Sequence, residues 1–163
     1  MKAAYLSRVG PPENIQFGEL ATPDVGPSDV LVKTTAVCVD PVDTLIRSGQ
    51  LPETMSFPFI VGRDMAGVVQ AVGPAVRRFA PGDRVWCNNQ GYHGRQGTFA
   101  EYLAVREDLL YPLSPGVDDR EAVAFVHSRH PSHTLGVMFM CVLRGRYPCF
   151  LTIARSFFIS VRL

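Results

Sequence analysis

Turn-forming residues cut residues 1–117 into strand-length pieces, and this constrains the fold more than any other feature. The chain carries 14 Gly and 13 Pro among its 163 residues, scattered without a period, so a collagen-like repeat is excluded. Between these breaks, Val30–Val37 is the clearest strand, β-branched throughout, with Val30, Val32, Thr34 and Ala36 expected on one face. Met65–Val72 is a second strand, and its interior Gly67 predicts a bulge or a close backbone approach. Ala80-Pro81-Gly82-Asp83 fits a type II turn leading into Arg84-Val85-Trp86. Thr98–Val105 is an aromatic-rich strand candidate. Turn signals at such short intervals predict a compact, mainly antiparallel barrel or sandwich.

Two short helices interrupt the strands. Asp40-Pro41-Val42-Asp43 supplies an N-cap, a proline at the first helical position and an acid two residues later. Val42, Leu45 and Ile46 should then share a face, and Gly49 should close the helix. Asp118 and Glu121 form an acidic version of a capping box, with Val117 and Ala122 placed as a hydrophobic staple. That helix is expected to run to about His127.

Length predicts one domain and leaves little room for separate dinucleotide-binding and substrate domains. Hydrophobic residues make up 47% and charged residues 19%, an ordinary globular profile. The net charge of +1 gives no overall electrostatic footprint for nucleic acid. This average hides a split. All 15 acidic residues lie at or before Glu121, whereas Arg129, Arg144, Arg146, Arg155 and Arg162 continue beyond it. The longest uncharged stretch of that region, His130–Leu143, is shorter than the roughly 18 residues of a membrane span. It has neither clean helical periodicity nor alternation.

Cys38, Cys87, Cys141 and Cys149 match no zinc or redox spacing. His127, His130 and His133, with Cys141 and Cys149 following, make a poor metal site, because Pro131 breaks the helix that would align them. Arg8 and Pro11-Pro12 interrupt any signal-peptide core, so a cytoplasmic location with free thiols is expected.

Five segments together resemble the zinc-independent quinone oxidoreductases of the medium-chain dehydrogenase/reductase superfamily. They are Asp40–Gly49, Pro58–Val69, Val72-Gly73, Pro81–Val85 and Gly97–Tyr102, in the order and spacing of that family's N-terminal domain. Leu113–Val117 and the following helix continue the match to about Ser128. The resemblance implies a mainly β, GroES-like barrel with short helices over residues 1–128. It also implies a cleft whose opposite wall is a Rossmann domain binding NADPH, with a quinone or enone reduced between the walls. In such enzymes hydride passes directly from the nicotinamide, without a metal.

The resemblance also sorts the polar residues. Zinc-dependent relatives carry Cys where this chain has Asp40 and His where it has Arg63. A guanidinium cannot ligate a metal, so no zinc site is expected. Asp40 stands where the quinone reductases usually carry Asn, facing nicotinamide and substrate, and it also suffices as a plain helix N-cap. Arg63 could hold a developing enolate or quinone oxygen by charge, or form a salt bridge to Asp64 or another acid. Asp40 and Arg63 are thus the candidate catalytic residues, with Asp43, Asp64, Asn89 and Tyr92 as candidate cleft residues. Asn88, Asn89, Gln90 and Tyr92, in a glycine-punctuated loop, read first as a solvated turn and second as cleft lining. Relatives often have Tyr at the positions of Leu45 and Leu51.

No Gly-x-Gly-x-x-Gly turn for a pyrophosphate follows Ser128; only Gly136 and Gly145 occur there. Residues 129–163 are therefore read as a divergent tail foreign to the family fold, from a shifted reading frame or an alternative gene end. Two functional classes follow. One is a truncated NADPH-dependent quinone oxidoreductase-like protein that binds no cofactor by itself and is inactive alone. The other is a non-enzymatic interaction protein using the domain and its apolar tail. Both expect self-association through exposed apolar surface, and neither involves nucleic acid.

Overall fold

The computed structural model describes residues 1–126. The tail at 129–163, His127 and the distal histidine–cysteine group lie outside the described residues. Eight strands and two α-helices run in the order β1 (Lys2–Leu6), β2 (Ile15–Glu19), β3 (Asp29–Cys38), α1 (Pro41–Ser48), β4 (Phe59–Ile60), β5 (Asp64–Val72), β6 (Arg84–Cys87), β7 (Tyr102–Arg106), β8 (Tyr111–Pro112) and α2 (Asp119–Val126). A three-stranded sheet has the order β2-β1-β4, and a five-stranded sheet has the order β7-β3-β5-β6-β8. All pairings are antiparallel, as the turn spacing predicts.

The Thr98–Val105 segment divides its pairing between the sheets. Its second half forms β7 beside β3, whereas the first half crosses to the smaller sheet. There Ala4 N donates to Phe99 O at 2.8 Å, and Glu101 N donates to Lys2 O at 3.0 Å. The regular strand therefore begins at Tyr102 rather than Thr98.

Gly67 meets both halves of its expectation. A Cβ on it would lie 2.4 Å from the Lys33 carbonyl oxygen and 2.6 Å from Val32 Cγ1. Opposite it, the β3–β5 register slips between Thr34 and Ala36, leaving Thr35 as an extra residue. The slip corrects the expected face of β3. Val30 and Val32 lie in the main core with Met65, Val69, Val85, Leu103 and Val105. Past the bulge it is Val37, not Ala36, that packs against that core. Ala36 turns to the other face and joins Ala66, Trp86, Ala122 and Val123, where α2 covers the sheet. One inserted residue inverts a two-residue period, so every side chain after it changes sides.

The bulged Thr35 anchors that helix. Its Oγ1 donates to Asp119 Oδ2 at 2.6 Å and lies 3.1 Å from Ala66 O, the alternative acceptor. Arg84 pairs with Asp119 and donates to Val117 O at 2.6 Å. Asp118 Oδ1 accepts from the Arg120 and Glu121 amides at 2.9 and 3.3 Å, which caps the helix start. Val117 and Ala122 meet in one apolar cluster, as a staple should.

α1 forms where its cap predicts. Asp40 and Asp43 make a capping box, Pro41 opens the helix, and Gly49 ends it at φ 80°. Ile46 is buried and Val42 packs beside it, but Leu45 is 41% exposed. The buried stripe of this two-turn helix runs through Asp43 and Ile46, three residues apart, which turns Leu45 outwards.

Candidate functional site

Strand order gathers the expected site residues. In antiparallel neighbours, the end of one strand lies beside the start of the next. β3 ends where β5 starts, with Cys38 opposite Asp64. β6 ends at the same level, with Cys87 opposite Met65. Asp40, Arg63 and the Asn88–Gln90 segment therefore leave the sheet together, at one end of β3, β5 and β6. Asp40, Asp43, Arg63 and Asp64 are all buried there.

Arg63 is the most closely held of these. Its Nη2 donates to Asn89 Oδ1 at 2.6 Å, and its guanidinium carbon lies 5.2 Å from the centre of the Tyr92 ring. The Arg63 Nε–H is buried and has no hydrogen-bond partner among the described residues. Asn89 has a left-handed backbone, φ 56°, a region that asparagine enters more readily than most residues. Its N donates to Asp64 Oδ1 at 3.3 Å, and its carbonyl accepts from Arg95 Nη2 at 2.8 Å. Gln90 N donates to Arg63 O at 3.0 Å.

The Asn88–Tyr92 segment is thus not a solvated turn. Gln90 is only 2% exposed, and the segment is tied to β5 at both Arg63 and Asp64. Asp43 belongs to the cap, accepting from Asp40 N at 2.8 Å. Asp64 is fully buried, and Thr98 Oγ1 donates to its carbonyl at 3.1 Å.

Two site residues escaped sequence reasoning. Cys38 lies beside Asp40, with its Sγ 3.9 Å from Oδ1. Burial, with the Asp40, Asp64 and Asp43 carboxylates adding to it, pushes its thiol up to about 12. Cys38 is accordingly a neutral neighbour of the site rather than a nucleophile. Burial, with a further push from Asp64, moves the Cys87 thiol the same way. Arg95 is the other residue, reached through a tight reversal that no spacing rule singles out.

Among the described residues, no group of three or more His, Cys, Asp or Glu side chains is arranged to hold a metal ion. None of their helices is long and apolar enough to cross a membrane. Phosphate is also poorly served. The two helix starts carry Asp40 and Asp43 in one case and Asp118, Asp119 and Glu121 in the other. Carboxylates there occupy the amides and repel a pyrophosphate.

The antiparallel sheets and the grouped strand ends have counterparts in known proteins. The alcohol dehydrogenase GroES-like domain family matches residues 26–115. This chain belongs to that family. Its fold is the mainly β, GroES-like one that the five segments imply. Mouse quinone oxidoreductase is 34% identical over 125 residues, spanning 76% of this chain and 37% of that protein. The structure of Pseudomonas syringae quinone oxidoreductase aligns with a TM-score of 0.72 at 31% identity, covering 90% of this chain and 41% of that one. A mycobacterial protein solved in complex with NADPH aligns with a TM-score of 0.70 at 27% identity, over 91% and 42% of the two chains. The chain thus spans well under half the length of these relatives.

Proposed function

We propose that residues 1–126 form the substrate-side wall of a reductase that delivers hydride to a quinone or enone. The placement of Arg63 carries this reading: a buried cation, held by Asn89 and Tyr92 at the meeting point of three strand ends. The similarity to quinone oxidoreductases supports the same substrate class. Hydride addition puts negative charge on the acceptor's oxygen, and a pre-positioned guanidinium stabilises that charge more as it grows. Nη2 is committed to Asn89, which leaves the other donors of Arg63 for the ligand oxygen. Asp40 caps α1 and keeps the backbone beside Arg63 in place. Val39, next to Asp40, and Leu45 on α1 are each 41% exposed and offer apolar surface to a flat, uncharged ring.

The dinucleotide belongs to the other wall of the cleft, because both described helix starts are acidic and no Gly-x-Gly-x-x-Gly turn occurs after Ser128. NADPH is the donor we assign to the complete enzyme, and it supplies the hydride. The 163-residue chain alone should therefore not turn over, and we take residues 129–163 as a segment separate from the domain of residues 1–128.

The test uses the purified 163-residue chain. Titration with NADPH should show no saturable micromolar binding, and menadione with NADPH should show no turnover. In a ¹⁵N NMR titration, 1,4-naphthoquinone should perturb signals of Arg63, Asn89 and Tyr92. Turnover would overturn the expected inactivity. Perturbations confined to other residues would overturn the assignment of the site.

A further inference from the structure

The segment after Asn89 reverses direction within four residues. Arg95 N donates to Tyr92 O at 3.2 Å, and Gly91 N donates to Gln96 O at 3.1 Å. Both central residues are left-handed, His93 at φ 53° and Gly94 at φ 78°, as in a type I′ turn. The turn's two flanking residues, Tyr92 and Arg95, both reach back to the Arg63–Asn89 pair. Tyr92 sets its ring against the Arg63 guanidinium, with the His93 ring 3.9 Å away from it. Arg95 reaches the backbone of Asn89 instead.

We propose that Arg95 is a positioning residue that orients Arg63 through Asn89; this rests on the reading of Arg63 as the group that meets the ligand oxygen. Asn89 sits in a backbone conformation that needs support, and the charged donor of Arg95 supplies it at the carbonyl, 2.8 Å away. With that peptide fixed, the amide faces Asp64 and the side-chain oxygen faces Arg63 Nη2. Without Arg95, the Asn89 carbonyl loses its donor and the left-handed residue relaxes. The Arg63 guanidinium then loses the acceptor that sets its plane. The two arginines act as a pair: one meets the ligand, and the other holds the residue that aims it.

The experiment uses the ¹⁵N-labelled 163-residue chain, with the Arg63 Nε–H resonance assigned by its disappearance in Arg63→Lys. In Arg95→Met that resonance should shift and exchange faster with solvent. Affinity for 1,4-naphthoquinone should fall about tenfold, the scale seen when an outer partner that orients a contacting group is removed. Arg95→Lys should recover most of both signals, because an ammonium can still donate to the Asn89 carbonyl. Arg120→Met, which removes an exposed charge at α2, should leave both unchanged. If Arg95→Met does not fold, Arg95→Gln serves instead, since it keeps a polar side chain but withdraws the charged guanidinium from the Asn89 carbonyl. An unchanged Arg63 resonance in a folded Arg95→Met or Arg95→Gln chain overturns the proposal. Absence of naphthoquinone binding to the wild-type chain, with the Arg63 resonance still responding to Arg95→Met, overturns the quinone reading and leaves the positioning role standing.

Discussion

Gly67→Ala tests whether the close approach of β3 and β5 is a real constraint. The new methyl would sit 2.4 Å from Lys33 O and 2.6 Å from Val32 Cγ1, about 1 Å inside ordinary contact. The nearer obstacle is backbone, paired on both sides within the five-stranded sheet, so it cannot rotate away. Overpacking of this kind costs roughly 1–3 kcal/mol, and a backbone clash belongs at the upper end. Alanine returns about 0.5 kcal/mol by restricting the unfolded chain. The expected net loss is about 2–3 kcal/mol, or roughly 10 °C in Tm for a domain of this size. Trp86 is the single tryptophan, 8% exposed and stacked on Tyr111 with ring centres 4.6 Å apart, so its fluorescence follows urea unfolding. The midpoint should fall with little change in slope. Gly82→Ala is the reference. It has φ 95°, but an added methyl there would meet no atom within 4 Å, so it isolates the conformational penalty of about 1–2 kcal/mol. If Gly67→Ala lies within about 0.5 kcal/mol of wild type, or costs less than Gly82→Ala, the reasoning from close approach is wrong.

Further outcomes follow from the same geometry. Asp43→Ala removes half of the α1 capping box and should cost about 1 kcal/mol in the same assay; no loss would show that the box is idle. Arg84→Ala loses the Asp119 pair and the bond to Val117 O, loosening α2; hydrogen exchange of the α2 amides should quicken, and unchanged protection would contradict the anchoring role. The Cys38 thiol is raised from about 9 to about 12, so between those values the unfolded chain loses its proton while the folded one keeps it. Stability from this group is therefore intact below pH 9 and is lost as pH rises towards 12. Site-resolved alkylation of the native chain should accordingly show no Cys38 inflection near pH 9, where a denatured control does. Phe17 is 63% exposed on β2, at the edge of the smaller sheet. Sedimentation should show concentration-dependent association that Phe17→Lys reduces, and a sharp monomer at high concentration would contradict it.

Local chemistry was legible from the residues themselves. The cap, opening proline and closing glycine of α1 act within a few residues of one another, so they can be read without knowing what α1 packs against. The same holds for the Pro81-Gly82 turn, where Asp83 N donates to Ala80 O at 3.1 Å. The two candidate catalytic residues, Asp40 and Arg63, lie at one end of the five-stranded sheet. What failed depended on a partner. Ala36 was assigned the wrong face because the Thr35 bulge breaks the alternation, and the bulge is set against β5. Leu45 was expected inside from its spacing to Val42 and Ile46, whereas the buried stripe runs through Asp43, whose carboxylate accepts from the Asp40 amide. Gln90 looked like a solvated loop residue because its burial comes from the return of the chain over Arg63.

The amino-acid sequence by itself determined the central strands β3, β5 and β6, the Pro81-Gly82 turn, how both helices begin, and to which family the domain belongs, because those properties arise from short-range sterics, capping and residue order. Only the tertiary structure decided which of the polar residues meet. Asn89 and Arg63 are 26 positions apart, and they face one another because β5 starts at the level where β6 ends. Arg95 joins them because a left-handed turn points the chain back at the Asn89 carbonyl. Hydrogen bonds reach about 3 Å, so the arrangement exists only once the sheet has brought those strand ends together.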